Sequence, residues 1–231
     1  MHDSPIKTVN IVGIEPSEQM SLAAKERLGT KAKETDMEAN LEIIRGTGEG
    51  LTSQQAEEIG QRGIDVVIAT ISIHHSPEEQ KREALKRVRQ MRPKLFILAD
   101  VNSNHEANLA KFSPELMANV RRFYSLAYQS QVEWARTKYD NSEAIVSGFK
   151  KFNFDEARNI AGRNYTGVED YHTTAENWLR LLKGEGFLIV DPRNKGFEAS
   201  VEGETDVTDE TFFTYTYEGQ NLFFVIGATP K

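Results

Sequence analysis

Carboxylate and imidazole side chains follow the most apolar segments of this chain, where they could take part in chemistry. Glu15 follows the run VNIVGI, the pair His74 and His75 follows IDVVIATISI, and Asp100 follows LFILA, with His105 close behind. An imidazole can act as a general base near neutral pH, so these three histidines are candidate catalytic residues. A carboxylate at the end of a strand can accept both hydroxyls of a ribose, which makes Glu15 a candidate cofactor ligand.

Each of these residues also has a purely structural interpretation. Glu15 could instead stabilise the start of the following helix through the helix dipole. Neighbouring strand residues point in opposite directions, so at most one of His74 and His75 is expected to face a cleft. A buried, hydrogen-bonded histidine is the commonest outcome for such positions. Only Asp100 and His105 could complete a metal site, and no metal is expected.

The segment GTGEG, residues 46–50, is the one glycine-rich loop that follows a predicted strand. Glycine lets a flat ring approach the backbone, so Thr47, Gly48 and Glu49 are candidate contacts for an adenine edge. A flexible turn between a strand and a helix explains the segment equally well. It is not a P-loop, because the Lys-Ser/Thr pair that completes one is missing.

Alternating strands and helices position these residues and predict an α/β fold with a parallel sheet. The strands are predicted at residues 9–14, 41–45, 64–73 and 95–99, and the helices between them at 18–28, 53–62 and 78–91. The strand at 64–73 is the most apolar and is expected at the centre of the sheet. Residues 29–40 are expected to form a polar connection.

The second half of the chain is predicted to be mainly helical, with strands at its end. We expect helices at residues 114–136, 155–161 and 174–183, a strand at 187–190 and an acidic loop at 193–209. An antiparallel hairpin with arms at 211–217 and 221–228 and a turn at 218–220 should follow. The chain should form one domain, with βα units over residues 6–100, a helical region over 101–185 and terminal strands over 186–231.

Composition narrows the function classes. The formal net charge of -7 gives no electrostatic reason to expect a nucleic-acid partner. The basic residues between Lys81 and Lys94 lie at helical spacing and are expected to form a solvated helix face. The absence of cysteine excludes disulfides and thiolate chemistry. The first ten residues lack the apolar run of a signal peptide, and no segment is apolar enough to span a membrane, so a cytoplasmic location is expected.

Two segments of the first half resemble class I S-adenosylmethionine-dependent methyltransferases. VNIVGIEPSEQMSLAAKERL is similar to their second strand and helix, in which an acid at the position of Glu15 binds the ribose, and IDVVIATISIHHS is similar to their fourth strand and following loop. The resemblance implies a Rossmann-like methyltransferase sheet with S-adenosylmethionine as cofactor. The cofactor contacts that it implies are Glu15, Pro16, Met20, Thr47, Gly48, Glu49, Thr70 and Ile71.

The second half resembles the GRAS family, which includes plant regulators and bacterial methyltransferase-like proteins. PKLFILADVNSNHEANLAKFSPELMANVRRFYSLAYQSQVE and RNIAGRNYTGVEDYHTTAENWLRLLKGEGF are similar to two of its conserved segments. The residues that carry the match are Asn104, His105, Phe123, Tyr124, Arg158, Asn159, His172, Trp178, Gly186 and Phe187. The substrate contacts that we expect from this likeness are Asp100, Asn104, Tyr124, Tyr128 and His172. The ending GATPK departs from the Ser-Ala-Trp ending usual in the family.

Both resemblances lack the same part, the first strand and its glycine-rich loop, for which residues 1–5 offer no counterpart. In the methyltransferase order 3-2-1-4-5-7-6, that strand lies between the strands at 9–14 and 64–73. The sequence therefore predicts an N-terminally incomplete sheet, in which these two strands either pair directly or leave unpaired apolar edges. Three explanations stay open: a fragment, a truncated gene model, or one partner of an assembly, such as a homodimer through these edges.

Two functions remain open at this stage. The first is a methyltransferase that transfers the methyl group of S-adenosylmethionine to a small-molecule acceptor. The alternative is a non-catalytic binding or regulatory module of the GRAS type that retains the fold, with a ligand sensor as a weaker third interpretation. No Asn/Asp-Pro-Pro-Tyr motif follows the strand at 64–73, so methylation of nucleic-acid amino groups has no support.

Overall fold

The computed structural model describes residues 8–35, 38–70, 72–74, 76–103, 109–139, 143–162, 171–190, 213–217 and 220–231. The chain divides into two units, residues 1–52 and residues 53–231. The prediction of a single domain over the whole chain stays a prediction. Of the described helices, none combines the length and the apolar character needed to cross a bilayer.

The first unit is a parallel βαβ arrangement. Strand β1 (Thr8–Ile14) and strand β2 (Glu38–Ile44) pair in register from Thr8 with Glu38 to Ile14 with Ile44, and helix α1 (Glu18–Glu34) connects them. Ser17 caps the helix as predicted, because its hydroxyl accepts the Met20 N–H at 3.3 Å. The cap fixes where α1 begins, directly after the end of β1.

The polar connection predicted for residues 29–40 is wrong. Helix α1 continues through this segment to Glu34, and β2 begins at Glu38. Gly29 is exposed within the helix, where glycine costs about 1 kcal/mol relative to alanine but does not end the helix. The exposed pair of Lys31 and Glu34, one turn apart at 3.1 Å, lies in the last turns. A polar surface helix was therefore misread as a loop.

The described part of the second unit contains a mixed sheet of five strands. Its strands are β3 (Val66–Thr70), β4 (Leu95–Val101), β5 (Phe187–Val190), β6 (Phe213–Tyr217) and β7 (Gln220–Pro230). β3 and β4 are parallel, whereas β7 runs antiparallel to β4, β5 and β6 in the order β3-β4-β7-β5, with β6 also on β7. The predicted terminal hairpin is confirmed as β6 and β7; the acidic loop at 193–209 and residues 218–219 of the turn lie outside the described residues.

Among the described residues of the second unit, five helices accompany this sheet: α2 (Ser53–Gln61), α3 (Glu78–Met91), α4 (Pro114–Lys138), α5 (Glu143–Gly162) and α6 (Ala175–Gly184). The predictions for α2, α3, α4 and α6 are confirmed to within two residues at either end. α5 is much longer than the predicted 155–161. α4 and α5 are antiparallel neighbours, and three pairs of residues set their register: Val120 with Ile160, Gln131 with Asn153, and Trp134 with Phe149.

The hydrophobic core lies where α3 and α6 pack on one face of the five-stranded sheet. Its centre is formed by fully buried side chains from both helices and three strands: Leu85, Phe96, Trp178, Leu181, Phe187, Phe224 and Ile226. Phe96 and Phe187 contact each other with their ring centroids 5.8 Å apart. This core anchors the first turns of α3 and α6, from which the candidate site is built.

The strand predicted for the centre of the sheet lies at its edge instead. Among the described strands β3 pairs only with β4, and the central positions belong to β4 and β7. Val67 and Ala69 pack against the core, but on the opposite face Val66 and Ile68 are 43% and 61% exposed. The apolar composition of residues 64–73 therefore did not predict the position of this strand in the sheet. A homodimer through the edge of β3 stays a prediction.

The solvated face predicted for residues 81–94 is also wrong in one respect. Lys81 is only 1% exposed and lies in the stripe of α3 that enters the core, together with Ala84, Leu85 and Val88. Other basic residues of α3 do lie at the surface, where Lys86 pairs with Glu83 at 2.6 Å.

Close packing of α2 on α3 depends on Gly60. A Cβ atom at this position would lie 2.8 to 3.0 Å from backbone atoms of Met91, which cannot move as a side chain could. We expect Gly60→Ala to destabilise the protein by about 1 to 3 kcal/mol, measured by urea unfolding. Gly148→Ala is the matched control, because a Cβ there meets nothing within 4 Å in a helix, and it should stabilise by about 0.5 to 1 kcal/mol. Equal effects would contradict this account of the packing.

Glu78 links α3 to α6 and should make stability depend on pH. Burial raises the pKa of Glu78, but hydrogen bonds from Arg82 and Arg180 outweigh it and hold the pKa below its ordinary value of 4.5. A carboxyl whose pKa is lower in the folded state stabilises the fold above pH 4.5, and this contribution is lost as the pH falls through the folded pKa.

We therefore expect Glu78→Gln to lower stability at pH 7 by about 0.5 to 1 kcal/mol, a small value because the side chain is 41% exposed. The difference from the unsubstituted protein should shrink as the pH falls through the lowered pKa of Glu78 and disappear below it. Glu79→Gln, at the exposed neighbouring position, is the control and should have little effect. Urea unfolding of both variants at a series of pH values measures this, and a pH-independent difference would contradict it.

Candidate functional site

A buried hydrogen bond joins the ends of the two parallel strands of the second unit. Asp100 is the penultimate residue of β4, and His74 follows the end of β3. Their side chains meet with Nδ1 of His74 2.9 Å from Oδ1 of Asp100, and the two residues are 3% and 1% exposed. In the tautomer that carries its proton on Nδ1, His74 donates this hydrogen bond to the carboxylate. We call this unit the His74–Asp100 pair.

His172 covers one face of the His74 ring. The two ring centroids are 4.1 Å apart and the ring planes differ by 17°, a stacked arrangement, and His172 is 4% exposed. Imidazole N–H bonds lie in the ring plane, so stacked rings cannot hydrogen-bond to each other and no proton passes directly between them. His172 therefore orients His74 and closes off one of its faces.

The backbone holds His172 in place through the segment of residues 171–175. The Tyr171 N–H donates to the His74 carbonyl at 3.2 Å, and the Ser103 N–H donates to the Thr173 carbonyl at 3.3 Å. The side chain of Asn102 accepts the Ala175 N–H at 2.9 Å. The segment is thus joined to the loop after β3 and to the end of β4.

The first turn of α6 completes this arrangement. Thr174 caps the helix, with its hydroxyl accepting the Asn177 N–H at 3.1 Å, and the Asn177 side chain donates to the Thr173 hydroxyl at 2.8 Å. Thr173 and Asn177 are buried. The segment therefore has a fixed course on both sides of His172.

The two carboxylate oxygens of Asp100 differ in the hydrogen bonds that they accept. Oδ1 accepts from His74 and from the Val101 N–H at 2.8 Å, whereas Oδ2 is buried and accepts no hydrogen bond within the part of the chain that the structure describes. A buried carboxylate oxygen without a donor is costly. Oδ2 is thus a place where an additional N–H or O–H donor would be accepted.

In the first unit, Glu15 lies at the carboxyl end of β1, where the sequence placed it. Its Oε1 accepts the Ser17 N–H at 2.8 Å, and its backbone is held by Ile44 and Gly46. The helix-stabilising role of Glu15 is therefore present, and one carboxylate oxygen is engaged in it. Among the described residues none donates a hydrogen bond to Oε2, which leaves an acceptor for a ribose hydroxyl.

The residues around Glu15 fit a nucleoside. In the loop after β2, the Gly50 N–H closes a turn on the Thr47 carbonyl at 3.1 Å, and a Cβ atom at Gly46 would meet nothing within 4 Å. A flat ring could therefore approach this backbone closely. Gly48 and Glu49 belong to the same turn. The carboxylate of Glu15 and the uncrowded backbone at Gly46 are the features of this unit that a nucleoside could contact.

The other predicted site residues fall into three groups. Pro16 and Met20 lie at the exposed start of α1, and Thr70 is exposed at the end of β3. Tyr124 and Tyr128 are half-buried on α4; Tyr124 packs beside a cluster of Leu116, Val120 and Ile160. Ile71, His75, Asn104 and His105 lie outside the described residues. The roles predicted for all of these residues stay predictions.

Sequence reasoning named His74, Asp100 and His172 separately but missed what joins them. It also missed Asn102 and Lys81, whose side chains bind the backbone at Ala175 and Tyr171. The signal for Lys81 was present, because its spacing of three, four and seven residues from Ala84, Leu85 and Val88 places it in the apolar stripe of α3. Across the described ranges, no three His, Asp or Glu side chains are grouped to hold a metal ion.

Parallel βα units with polar side chains at the carboxyl ends of their strands define an α/β protein of the type that binds ligands at that edge. Residues 2–201 match the GRAS domain family. The match covers most of the 231 residues, and the chain therefore belongs to the GRAS domain family. This confirms the resemblance seen in the second half of the sequence. No curated protein sequence matches the chain.

Several solved structures are similar at low identity. LaPhzM is 13% identical, with a TM-score of 0.42, over all of this chain and 52% of its own length, so the chain spans about half of that protein. A SAM-dependent methyltransferase from Anabaena variabilis ATCC 29413 is 13% identical, with a TM-score of 0.41, over 98% of this chain and 77% of its own. A pericyclic reaction enzyme is 10% identical, with a TM-score of 0.40, over all of this chain and 45% of its own.

The strength of the His74–Asp100 pair can be measured by a double-mutant cycle. Asp100→Ala, His74→Ala and the double variant should give a coupling free energy of about 1.5 to 3 kcal/mol in urea unfolding, because the hydrogen bond is buried and charge-assisted. Lys94 and Asp65 form the control pair: their atoms lie closer, at 2.6 Å, but the side chains are 82% and 70% exposed. Their coupling should be close to zero. Similar coupling in both pairs would contradict this account.

Proposed function

We propose that this protein is an S-adenosylmethionine-dependent methyltransferase that acts on a small-molecule acceptor. The observation that carries the proposal is the His74–Asp100 pair, a buried base with its orienting carboxylate at the carboxyl ends of two parallel strands. Membership of the GRAS domain family supports it, since the sequence resemblance links that family to methyltransferases.

The cofactor would be held by residues of the first unit. Glu15 would accept a ribose hydroxyl at Oε2 while Oε1 keeps the Ser17 N–H, and the backbone of Thr47 and Gly48 would contact the adenine. When bound, S-adenosylmethionine supplies an electrophilic methyl group on its sulfonium. The work left to the chain is to orient the acceptor and to take its proton.

The His74–Asp100 pair suits that second task. An acceptor O–H or N–H loses one proton for each methyl group that it gains, and Nε2 of His74 would take this proton. Asp100 keeps its hydrogen bond to Nδ1 and stabilises the imidazolium that forms, while the stacked His172 holds the ring in position. Asp100 would thus act by orienting the base and by its charge.

A small acceptor fits the chain better than a nucleic acid. The net charge of -7 offers no general attraction for phosphates. We further propose that Tyr124 and Tyr128 on α4 and the buried His172 contribute to the acceptor side, as the family likeness implies. The cytoplasm, where the cofactor would be available, is the proposed location.

A second function is favoured by one observation. His74 and Asp100 are 3% and 1% exposed, so a substrate reaches Nε2 only if neighbouring groups move. A non-catalytic GRAS module would keep such a pair as a structural element alone. Cofactor binding and turnover separate the two functions.

Binding is tested by isothermal titration calorimetry with S-adenosylmethionine. We expect micromolar affinity, a loss of about tenfold or more for Glu15→Gln, which keeps an acceptor for Ser17, and a larger loss for Glu15→Ala. Glu18→Ala is the matched control, because Glu18 is a surface carboxylate of the same unit, paired with Arg45. No detectable binding, or equal losses for Glu15 and Glu18 variants, would contradict the proposed cofactor site.

Turnover is tested by mass spectrometry of S-adenosylhomocysteine formed with a mixture of small-molecule acceptors. His74→Gln should lower turnover by about a hundredfold or more with cofactor affinity unchanged, because the general base is lost. Product formation that survives in His74→Gln would remove His74 from catalysis. Cofactor binding without any turnover by the unsubstituted protein would favour the non-catalytic module.

A further inference from the structure

Lys81 carries a charge in a place where an apolar side chain would be expected. It lies in the first turn of α3, is 1% exposed and ranks among the largest fully buried side chains. Its ammonium group lies 5.5 Å from the centroid of the Trp178 ring. Burying an ammonium group costs free energy that a methionine or leucine packed against Trp178 would not incur. The charge therefore needs an explanation beyond packing.

The bond that Lys81 makes supplies this explanation. Nζ donates to the backbone carbonyl of Tyr171, the residue directly before His172. The Tyr171 carbonyl and the His172 nitrogen belong to one planar peptide unit, so holding the carbonyl fixes the position of the His172 Cα atom. On the other side of His172, the Thr173 carbonyl is held by the Ser103 N–H at 3.3 Å, which limits the remaining backbone rotation. The Tyr171 N–H is already held by the His74 carbonyl at 3.2 Å. Tyr171 is therefore anchored on both of its backbone polar groups.

We propose that Lys81 is a positioning residue, whose hydrogen bond to the Tyr171 carbonyl keeps the His172 ring stacked on His74 and so holds the His74–Asp100 pair in one orientation. The stacking itself is direct geometry, with centroids 4.1 Å apart and planes within 17°. Only the consequence for proton transfer rests on the proposed methyltransferase function.

A purely structural Lys81 would behave differently. It would support the packing of α3 against α6, and its loss would lower stability without a specific effect on the two rings. A positioning Lys81 makes the ring arrangement depend on the ammonium group rather than on the volume of the side chain. The test must therefore remove the charge of the Lys81 side chain and keep its length and volume.

The chain allows this exchange because it contains no cysteine. Lys81→Cys provides a single thiol, which is alkylated in denaturant, since the position is buried, and the protein is then refolded. Aminoethylation gives a side chain that ends in an ammonium group at nearly the length of lysine. Propylation of the same variant gives an uncharged side chain of the same length and is the matched control.

The readout is the pair of imidazole signals from His74 and His172 in ¹H–¹⁵N correlation spectra, assigned among the five histidines with His74→Gln and His172→Gln. Stacked rings shift each other's protons upfield, and a held Nδ1–H gives His74 a single tautomer pattern. We expect the aminoethylated protein to show both signatures. The propylated protein should lose the mutual upfield shift and show averaged nitrogen signals for His74.

Lys81→Met, expressed directly, repeats the neutral case without refolding. Val88→Ala is its control, because it removes core volume from the same helix, with a comparable loss of stability, but leaves the Tyr171 carbonyl bound. The His74 and His172 signals should change in Lys81→Met and not in Val88→Ala. Unchanged signals in both folded neutral variants, or the same change in Val88→Ala, would overturn the proposal.

The consequence for activity is measured separately. Lys81→Met should lower methyl transfer by about tenfold with cofactor affinity unchanged, because a base that is not held in line loses part of the benefit of orientation. If the protein transfers no methyl group, the spectroscopic result still decides the role of Lys81. The two proposals can therefore fail independently.

Discussion

The hydrogen bond between His74 and Asp100 is the interaction on which the rest of the site depends. It joins the ends of β3 and β4 inside the protein, where burying either side chain without its hydrogen-bond partner would cost free energy. His172 stacks on one face of the His74 ring, and the segment that carries His172 is bound to both strand ends. The buried pair is thereby covered by a segment whose backbone is held by hydrogen bonds.

The core explains how this enclosure is held. α3 and α6 pack side by side on one face of the sheet, so their first turns bring Lys81 and Thr174 to the two sides of the segment around His172. Surface ion pairs between Glu78, Arg82 and Arg180 add a second, weaker connection between the same helices. The apolar packing gives stability, and the polar groups at its edge determine the orientation of the rings.

Much of this could be predicted from the sequence, because it depends on local pattern. The ends of most helices and the residues that follow each strand were predicted from apolar spacing, caps and glycines. Apolar composition alone misplaced β3 at the centre of the sheet, since the exposed Val66 and Ile68 look no different in sequence from buried strand residues. The edge position followed only from the resemblance to the methyltransferase strand order, which gave an unpaired edge as one of two alternatives. The stacking of His74 on His172 joins residues about a hundred positions apart in the sequence, and no local pattern predicts such a contact.

Hydrogen–deuterium exchange with and without S-adenosylmethionine tests the central claim most directly, because it shows where the cofactor binds without the need for an acceptor. A cofactor that binds at Glu15 and the glycine loop should slow exchange of the backbone amides at Ser17 and between Gly46 and Gly50, and Glu15→Ala should remove this protection. Unchanged exchange across residues 8–52 at saturating cofactor would contradict the account, and the His74–Asp100 pair would then be a structural element of a GRAS protein with another function.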